Sequence, residues 1–272
     1  MTKIWNKYIK KSIIYTASII SIIYILLSDK LMLNLVLNLN VSDSINILLN
    51  KLLVTALVFG GTLITIYLYY KFRKKVRISA SNYIIEVRYG DIFKIDNCKK
   101  VISFDECFTD AIGNGPADVN EGSICGQFLQ RNPNINIKEV ISEHKLEVKG
   151  KSKYEKKDKY ESGRLITYDN YLLMPFAKLD KYGRGIITYK EFMDCLSILW
   201  EEIDKYYGQK DVCIPILGSG VTRFKDVIMT KQQLLDVIIA SYKLNHSKIK
   251  KPNKLIIICD GDVALDKIGE VI

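Results

Sequence analysis

Val212-Cys213-Ile214-Pro215-Ile216-Leu217-Gly218-Ser219-Gly220-Val221-Thr222-Arg223-Phe224 begins as an apolar run and ends in a loop punctuated by glycine. A short apolar run without helical period reads as a strand buried on both faces. Leu255 to Cys259 reads the same way. Between the two, Thr230 can cap a helix through Leu234, Leu235, Ile238 and Tyr242. Upstream, Thr188 and Glu191 make a capping box. Phe192, Leu196, Leu199, Trp200 and Ile203 then form one apolar stripe, which Gly208 stops. Further outward, Ile84 to Tyr89 and Lys100 to Phe104 have the β-branched content of strands. Gly163 to Tyr168 and Tyr171 to Phe176 read as a hairpin turning at Asp169-Asn170. Helices alternating with buried strands predict an α/β domain with helices on both faces of the sheet.

The loop after Leu217 carries the chemistry. Glycines permit positive φ and close approach, so the backbone amides of Gly218, Ser219, Gly220, Val221 and Thr222 can line an anion nest. Arg223 adds a cation and Phe224 a ring. The segment has neither the Gly-Lys-Ser/Thr ending of a P-loop nor the spacing of a dinucleotide fingerprint. Glu121-Gly122-Ser123-Ile124-Cys125-Gly126-Gln127-Phe128 is a second small-residue loop entering a helix, a natural phosphate seat. Gly90-Asp91-Ile92 follows the first strand, where an aspartate can accept from an exocyclic amine such as that of adenine. Each piece alone is an ordinary turn or helix start. Together they predict a phosphate-binding cleft.

Residues 1–77 read as a membrane hairpin with basic flanks, residues 78–272 as a cytosolic domain. Ser12 to Ser28 and Leu52 to Tyr70 are uncharged runs of 17 and 19 residues bracketed by charge. About 20 apolar helical residues cross a ~30 Å hydrocarbon core. Lys3, Lys7, Lys10 and Lys11 precede the first run, and Lys71, Arg73, Lys74, Lys75 and Arg77 follow the second. Positive charge on the inner side places both termini in the cytoplasm of an inner-membrane protein. A signal peptide is disfavoured, because no small-x-small site follows Ser28 and a second span comes soon after. Ala17 and Ser21, and Ala56, Gly60 and Gly61, offer small faces for helix packing. In the connection, Leu31, Leu33, Leu35, Leu37, Leu39 and Val41 alternate, giving an apolar face for the outer leaflet or another copy.

Charge narrows the function further. The formal net charge is +10, from 40 Lys/Arg against 30 Asp/Glu. Residues 1–77 hold 11 cations and 2 acids, leaving 29 against 28 beyond them. A nearly neutral domain gives no support to nucleic-acid binding. Lys145 to Lys159, with seven lysines and three acids, reads as a solvated loop or hairpin tip, with an acidic partner or lipid headgroup as the lesser reading. The six cysteines show no CxxC pair and are expected as free thiols. His144 and His246 are the only histidines and lie in lysine-rich, exposed-looking segments, so neither zinc nor histidine-assisted nucleophilic catalysis is favoured. Asp180 to Glu191 has the glycine and glutamate of a calcium loop, but Tyr182 and Arg184 occupy ligand positions and exclude it.

The order Gly90-Asp91-Ile92, then a glycine loop entering a helix, then Pro215-x-x-Gly218-Ser219-Gly220-x-x-x-Phe224 resembles a macro domain, the module that binds ADP-ribose. The resemblance covers about Tyr83 to Ile272 and implies a three-layer α/β fold with a mixed central sheet. It implies that Asp91 meets the adenine amine, with Ile92 in the same ligand-binding motif. Gly122 to Gly126 and Gly218 to Val221 would wrap the diphosphate, Thr222 and Arg223 would continue that loop, and Phe224 would border the distal ribose. Hydrolytic macro domains carry an Asn-Ala-x-Asn-like stretch after the second strand; here Ser103-Phe104-Asp105-Glu106-Cys107-Phe108 stands in that place. That departure favours binding over turnover. A macro domain on a two-helix membrane anchor is similar to the membrane-anchored effectors of Thoeris anti-phage defence. That resemblance implies sensing of an ADP-ribose-derived signal, histidine–ADP-ribose, made by a companion TIR protein. Oligomerisation, disruption of the membrane lipid and abortive infection would follow. No cofactor or metal is implied. The alternatives are a membrane-tethered ADP-ribosyl or O-acyl-ADP-ribose hydrolase and a docking module for ADP-ribosylated proteins.

Overall fold

A computed structural model describes residues 2–33, 41–245 and 248–268. Leu35, Leu37 and Leu39 of the alternating connection, and His246, lie outside the described residues. The chain forms two compact units that divide between Arg73 and Lys74.

The first unit contains helices α1 (Thr2–Leu26), α2 (Asp29–Leu33) and α3 (Asp43–Phe72). Two of them, at Tyr8–Leu26 and Asp43–Phe72, are long and apolar enough to cross a membrane. Both extend beyond the apolar runs into a charged flank, because lysine has a helix propensity close to that of leucine. α1 and α3 run antiparallel. Tyr8 and Tyr70 rings lie 5.2 Å apart, the Thr16 and Thr62 hydroxyls are 2.9 Å apart, and the Tyr24 hydroxyl donates to the Lys51 carbonyl at 2.6 Å. The small residues expected to pack the helices do not make this contact. Ala17, Ser21, Ala56 and Gly61 are exposed, and a Cβ at Gly60 or Gly61 would meet nothing within 4 Å. Interhelical hydroxyls take their place. The connection begins as a helix, not an alternating segment: Asp29 sits favourably in the first turn of α2, and Met32 is buried.

The second unit begins with β1 (Lys75–Ser79), antiparallel to β2 (Ile84–Tyr89), so Arg77 and Ile78 lie inside a strand. There follow β3 (Cys98–Asp105), α4 (Ile124–Arg131), α5 (Ile137–Glu143), β4 (Val148–Lys151), β5 (Asp158–Tyr160), β6 (Ile166–Tyr168) and β7 (Tyr171–Leu179). The chain continues through β8 (Gly185–Ile187), α6 (Tyr189–Tyr206), β9 (Asp211–Pro215), β10 (Arg223–Phe224), α7 (Lys231–Leu244) and β11 (Leu255–Cys259). Among the described residues, nine strands form one mixed sheet in the order β1-β2-β11-β9-β3-β7-β8-β10, with β6 also on β7. The central five, β2, β11, β9, β3 and β7, are parallel neighbours. Their carboxyl ends therefore open on the same edge of the sheet.

Neighbouring residues on these strands face opposite layers, as the pleat requires. Val101, Leu172, Val212 and Ile257 join the stripe of α6 and the inner face of α7. Ile102, Phe104 and Leu173 join Phe128 and Leu129 of α4 and Ile137 and Val140 of α5. This is the three-layer α/β architecture expected. Both predicted caps form as capping boxes, Thr188 with Glu191 and Thr230 with Gln233. Trp200 Nε1 donates to Ser241 Oγ at 2.8 Å, joining α6 to α7. The lysine-rich segment forms β4 and β5, a two-stranded antiparallel hairpin separate from the main sheet.

One histidine differs from expectation. His144 is half-buried: Nδ1 donates to the Val140 carbonyl at 2.9 Å, and Nε2 accepts from the Thr167 amide at 3.1 Å. Nδ1 closes the last turn of α5, and Nε2 ties that helix to β6.

Candidate functional site

Each parallel strand hands its chain to a loop at the same edge of the sheet. Ligands bind in open α/β sheets at such carboxyl ends. Here the edge holds a cleft of about 650 Å³.

Two loops bring backbone amides to it. Ser123 caps α4: its hydroxyl accepts from the Gly126 amide at 3.0 Å, while Asn120 Oδ1 accepts from the Gly122 amide at 2.9 Å. The Ile124 and Cys125 amides, in the first turn of α4, have no protein acceptor among the described residues. In the loop after β9, the Ser219 amide and hydroxyl both donate to the Ile216 carbonyl, at 3.2 and 2.6 Å. That turn leaves the consecutive Gly220, Val221 and Thr222 amides without protein acceptors among the described residues. Free amides at a helix N-terminus and in a glycine turn both attract anions.

Gly218 must be glycine. It has φ +79°, and a Cβ there would stand 3.0 Å from the Phe224 ring.

The structure gathers Gly122, Ser123, Ile124 and Cys125 with Gly218, Ser219, Gly220, Val221, Thr222 and Arg223 around the cleft. Four residues of the expected set do not line it. Asp91 sits at the end of β2, and its Oδ1 accepts from the Phe93 amide at 2.9 Å to cap a short 3₁₀ turn. Ile92 is buried with Cys98, Ile256 and Ile258. Gly126 packs inside the first turn of α4, where a Cβ would collide with the Asn120 carbonyl. Phe224 lies under Gly218, edge-on to Phe192 with ring centres 5.4 Å apart, and so supports the loop from below.

Other residues reach the cleft unannounced. Asp105 ends β3 and Asp260 follows β11, so strand ends already supplied the signal for both. Asp118 and the turn from Tyr182 to Gly185 come from two loops in mutual contact. Gly183 has φ +76°, and a Cβ there would meet the Ala117 nitrogen at 2.7 Å. The Gly113/Gly115/Pro116 cluster was a turn signal, but nothing local in it pointed to the cleft.

The charges are mostly committed. Arg184 pairs with Asp180 at 2.8 Å, and Lys231 with Asp260 at 2.5 Å and Asp262 at 2.7 Å. Arg223 makes no ion pair among the described residues, which leaves its guanidinium to an anion in the cleft. Burial raises the Asp105 carboxyl above its ordinary value, although the Cys107 and Thr109 amides donate to it at 2.7 and 3.2 Å. Cys125 lines the cleft at a helix start, yet burial, with the charges of Asp105 and Asp110, holds its thiol well above the ordinary range. It is therefore no thiolate nucleophile. The calcium-like segment is spent on itself. Asp180 accepts from the Arg184 amide and guanidinium and from the Tyr182 amide, which bring it to about 2, while Glu191 serves Thr188 and Lys178.

Residues 85–260 match the family described as Thoeris protein ThsA, Macro domain. A Thoeris protein ThsA from Bacillus amyloliquefaciens (strain Y2) is 25% identical over 221 residues, which span 76% of this chain and 74% of that one. Among solved structures, the Oceanobacillus iheyensis macrodomain with ADP superposes with a TM-score of 0.41 at 9% identity, over 69% of this chain and 89% of that one. The same macrodomain with MES bound gives 0.40 at 9% identity, over 69% and 90%.

Proposed function

The chain belongs to the Thoeris protein ThsA macro-domain family, and on that premise we propose that it is a membrane-anchored effector of anti-phage defence that senses an ADP-ribose-type signal. The observation that carries this reading is the pair of loops with unpaired amides, Ile124-Cys125 and Gly220-Val221-Thr222, lining one cleft with the uncommitted Arg223. A diphosphate needs several donors, and this set supplies five amides and a guanidinium; of the carboxylates in the cleft, Asp260 is paired with Lys231 and Asp105 has its carboxyl raised by burial. The expected ligand is an ADP-ribose conjugate, histidine–ADP-ribose by the Thoeris resemblance, supplied by a TIR protein. No cofactor takes part, and the work is binding, not turnover.

In this reading α1 and α3 cross the inner membrane with both termini cytoplasmic. Ligand binding shifts the protein toward self-associated copies whose helices disturb the bilayer and end infection abortively. Such a shift requires the assembled state to bind the ligand more tightly than the resting one. The outward small faces at Ala17, Ser21 and Ala56 are available for contact between copies. Anchor and sensor are taken to meet at Arg73/Lys74, because a cut after Arg77 would divide β1.

The test is calorimetric titration of full-length protein in nanodiscs with ADP-ribose and its conjugates. Gly220→Asp is the decisive variant. A side chain there enters open space, so the loop keeps its shape while a carboxylate is placed beside the diphosphate. Unchanged affinity in this variant would sink the assignment. The Asp105 carboxylate in the cleft favours one rival reading, hydrolysis with Asp105 orienting water. Release of ADP-ribose from a conjugate, lost in Asp105→Asn, would replace sensing by catalysis.

A further inference from the structure

The helical unit has a cavity of its own, a groove of about 600 Å³ along the seam of α1 and α3. Lys11, Tyr15 and Tyr69 line it, as do Ile19, Val58 and Gly61 further along the helices. Gly61 opens the groove, since a Cβ there would meet nothing within 4 Å. From Lys11 to Ile19 the helix advances about 12 Å, close to the ~15 Å hydrocarbon depth of one leaflet. One end is polar. Lys11 Nζ donates to the Tyr70 hydroxyl at 2.6 Å, and the Arg73 guanidinium stacks 4.8 Å from the Tyr70 ring centre. None of the residues lining the groove is acidic. The acids of α1, α2 and α3, Asp29 and Asp43, stand at the opposite end of the hairpin.

We propose that this groove is a binding site for one anionic phospholipid, with an acyl chain over Gly61 between Ile19 and Val58 and the phosphate at Lys11 and the tyrosine hydroxyls. Length and polarity match a single lipid: an apolar trough one leaflet deep, closed by a cation where the headgroups lie. A second copy of the hairpin is the poorer occupant. Lying in the same orientation, it would bring its own Lys11 and Arg73 to the same level, and like charges would meet. The proposal rests on the reading that α1 and α3 cross the bilayer, and its test separates the two.

A photoreactive diazirine analogue of leucine is placed at Val58 in the full-length protein, in cell membranes rich in phosphatidylglycerol. Resistance to alkaline carbonate extraction is scored in parallel. The expected result is a carbonate-resistant protein carrying a phosphatidylglycerol adduct. Lys11→Gln should reduce the adduct about 5-fold, the factor one lysine contributes at an anionic surface. Gly61→Leu, which fills the trough, should reduce it at least as much. A protein dimer as the main photoproduct gives the groove to a second copy and overturns the proposal. So does a lipid adduct unchanged in both variants, or one made mostly of zwitterionic lipid. A carbonate-resistant protein without a lipid adduct defeats the lipid site and leaves the anchor standing. Release by carbonate defeats both.

Discussion

Helices α3 and α6 are both rich in leucine and isoleucine, and they bury those residues in opposite ways. In α6, Phe192, Leu196, Leu199, Trp200 and Ile203 are fully covered by the sheet and α7, and the charged residues other than Glu202, which is buried against Arg164 and the Leu165 amide, lie on the other face. In α3 the apolar residues go all round: Leu57 is 65% exposed and Leu52 59%, while two of the four buried residues are asparagines, Asn46 and Asn50. A helix apolar all round needs an apolar solvent, whereas a striped one needs a partner. The same side chains therefore specify a packed layer in one unit and, in the other, an outward apolar surface on a helix long enough to cross a membrane. Polar contacts invert as well. Threonine and tyrosine hydroxyls join α1 to α3.

One truncation made in both places sharpens this contrast most. Leu199→Ala should lower the stability of the α/β unit by about 2–5 kcal/mol, since it leaves a cavity in a closed core. Leu57→Ala should change it by no more than ~0.5 kcal/mol. Denaturant unfolding of the α/β unit, followed through Trp200 fluorescence in the full chain, reads both. Equal losses would erase the distinction.

The cleft should answer to charge and not to volume. Gly220→Asp should weaken ADP-ribose binding about 100-fold, equivalent to ~2.7 kcal/mol, without moving the melting temperature. Titration calorimetry and a thermal melt decide it together, because a shifted melt would mean that the loop had changed shape.

The Thr188 cap belongs to the watery unit and should depend on pH. Partial burial pushes the Glu191 carboxyl up, but the Lys178 ammonium and the Thr188 amide and hydroxyl outweigh it and bring the group to about 2. Its unfolded value is the ordinary 4.5, so the unfolded chain binds more protons between those limits. The contribution is complete above pH 4.5 and fades as pH falls toward 2. Thr188→Ala should cost about 1 kcal/mol at neutral pH. The melting difference between wild type and Glu191→Gln should shrink steadily below pH 4.5; a gap that stays constant would place the stabilisation elsewhere.

The smallest effect belongs to the hairpin. Thr16→Val with Thr62→Val should reveal a coupling of about 0.6 kcal/mol in a double-mutant cycle, the usual size for an interhelical hydrogen bond in a bilayer. Steric trapping in bicelles can measure it. A coupling near zero would mean that the helices pair by shape alone.

Much of the α/β unit was legible because its signals are local. Capping boxes, the α6 stripe and the continuous apolar strands each specify their element without help from elsewhere, and β2, β11, α6 and α7 lie where their sequences put them. The glycine loops were legible as loops. Their use was only partly so: Gly126 and Phe224 carry the right residue types but pack beneath the surface, while Asp105, Asp118 and Tyr182 reach the cleft from segments far apart in the chain. In the hairpin, length and apolarity declared two helices able to span a membrane, yet Ala17, Ser21, Ala56 and Gly61 turned outward while the Thr16, Thr62 and Tyr24 hydroxyls turned inward.

By itself, then, the sequence determined most of the strands and helices of the α/β unit, which two helices are long and apolar enough to cross a membrane, and which loops can offer amides, since each depends on side chains within a few residues of one another. The tertiary structure decided which amides stay unpaired, which carboxylates stand beside them, and which face of each long apolar helix is left open. Those outcomes depend on strand order and helix rotation, where residues a hundred positions apart compete for the same space.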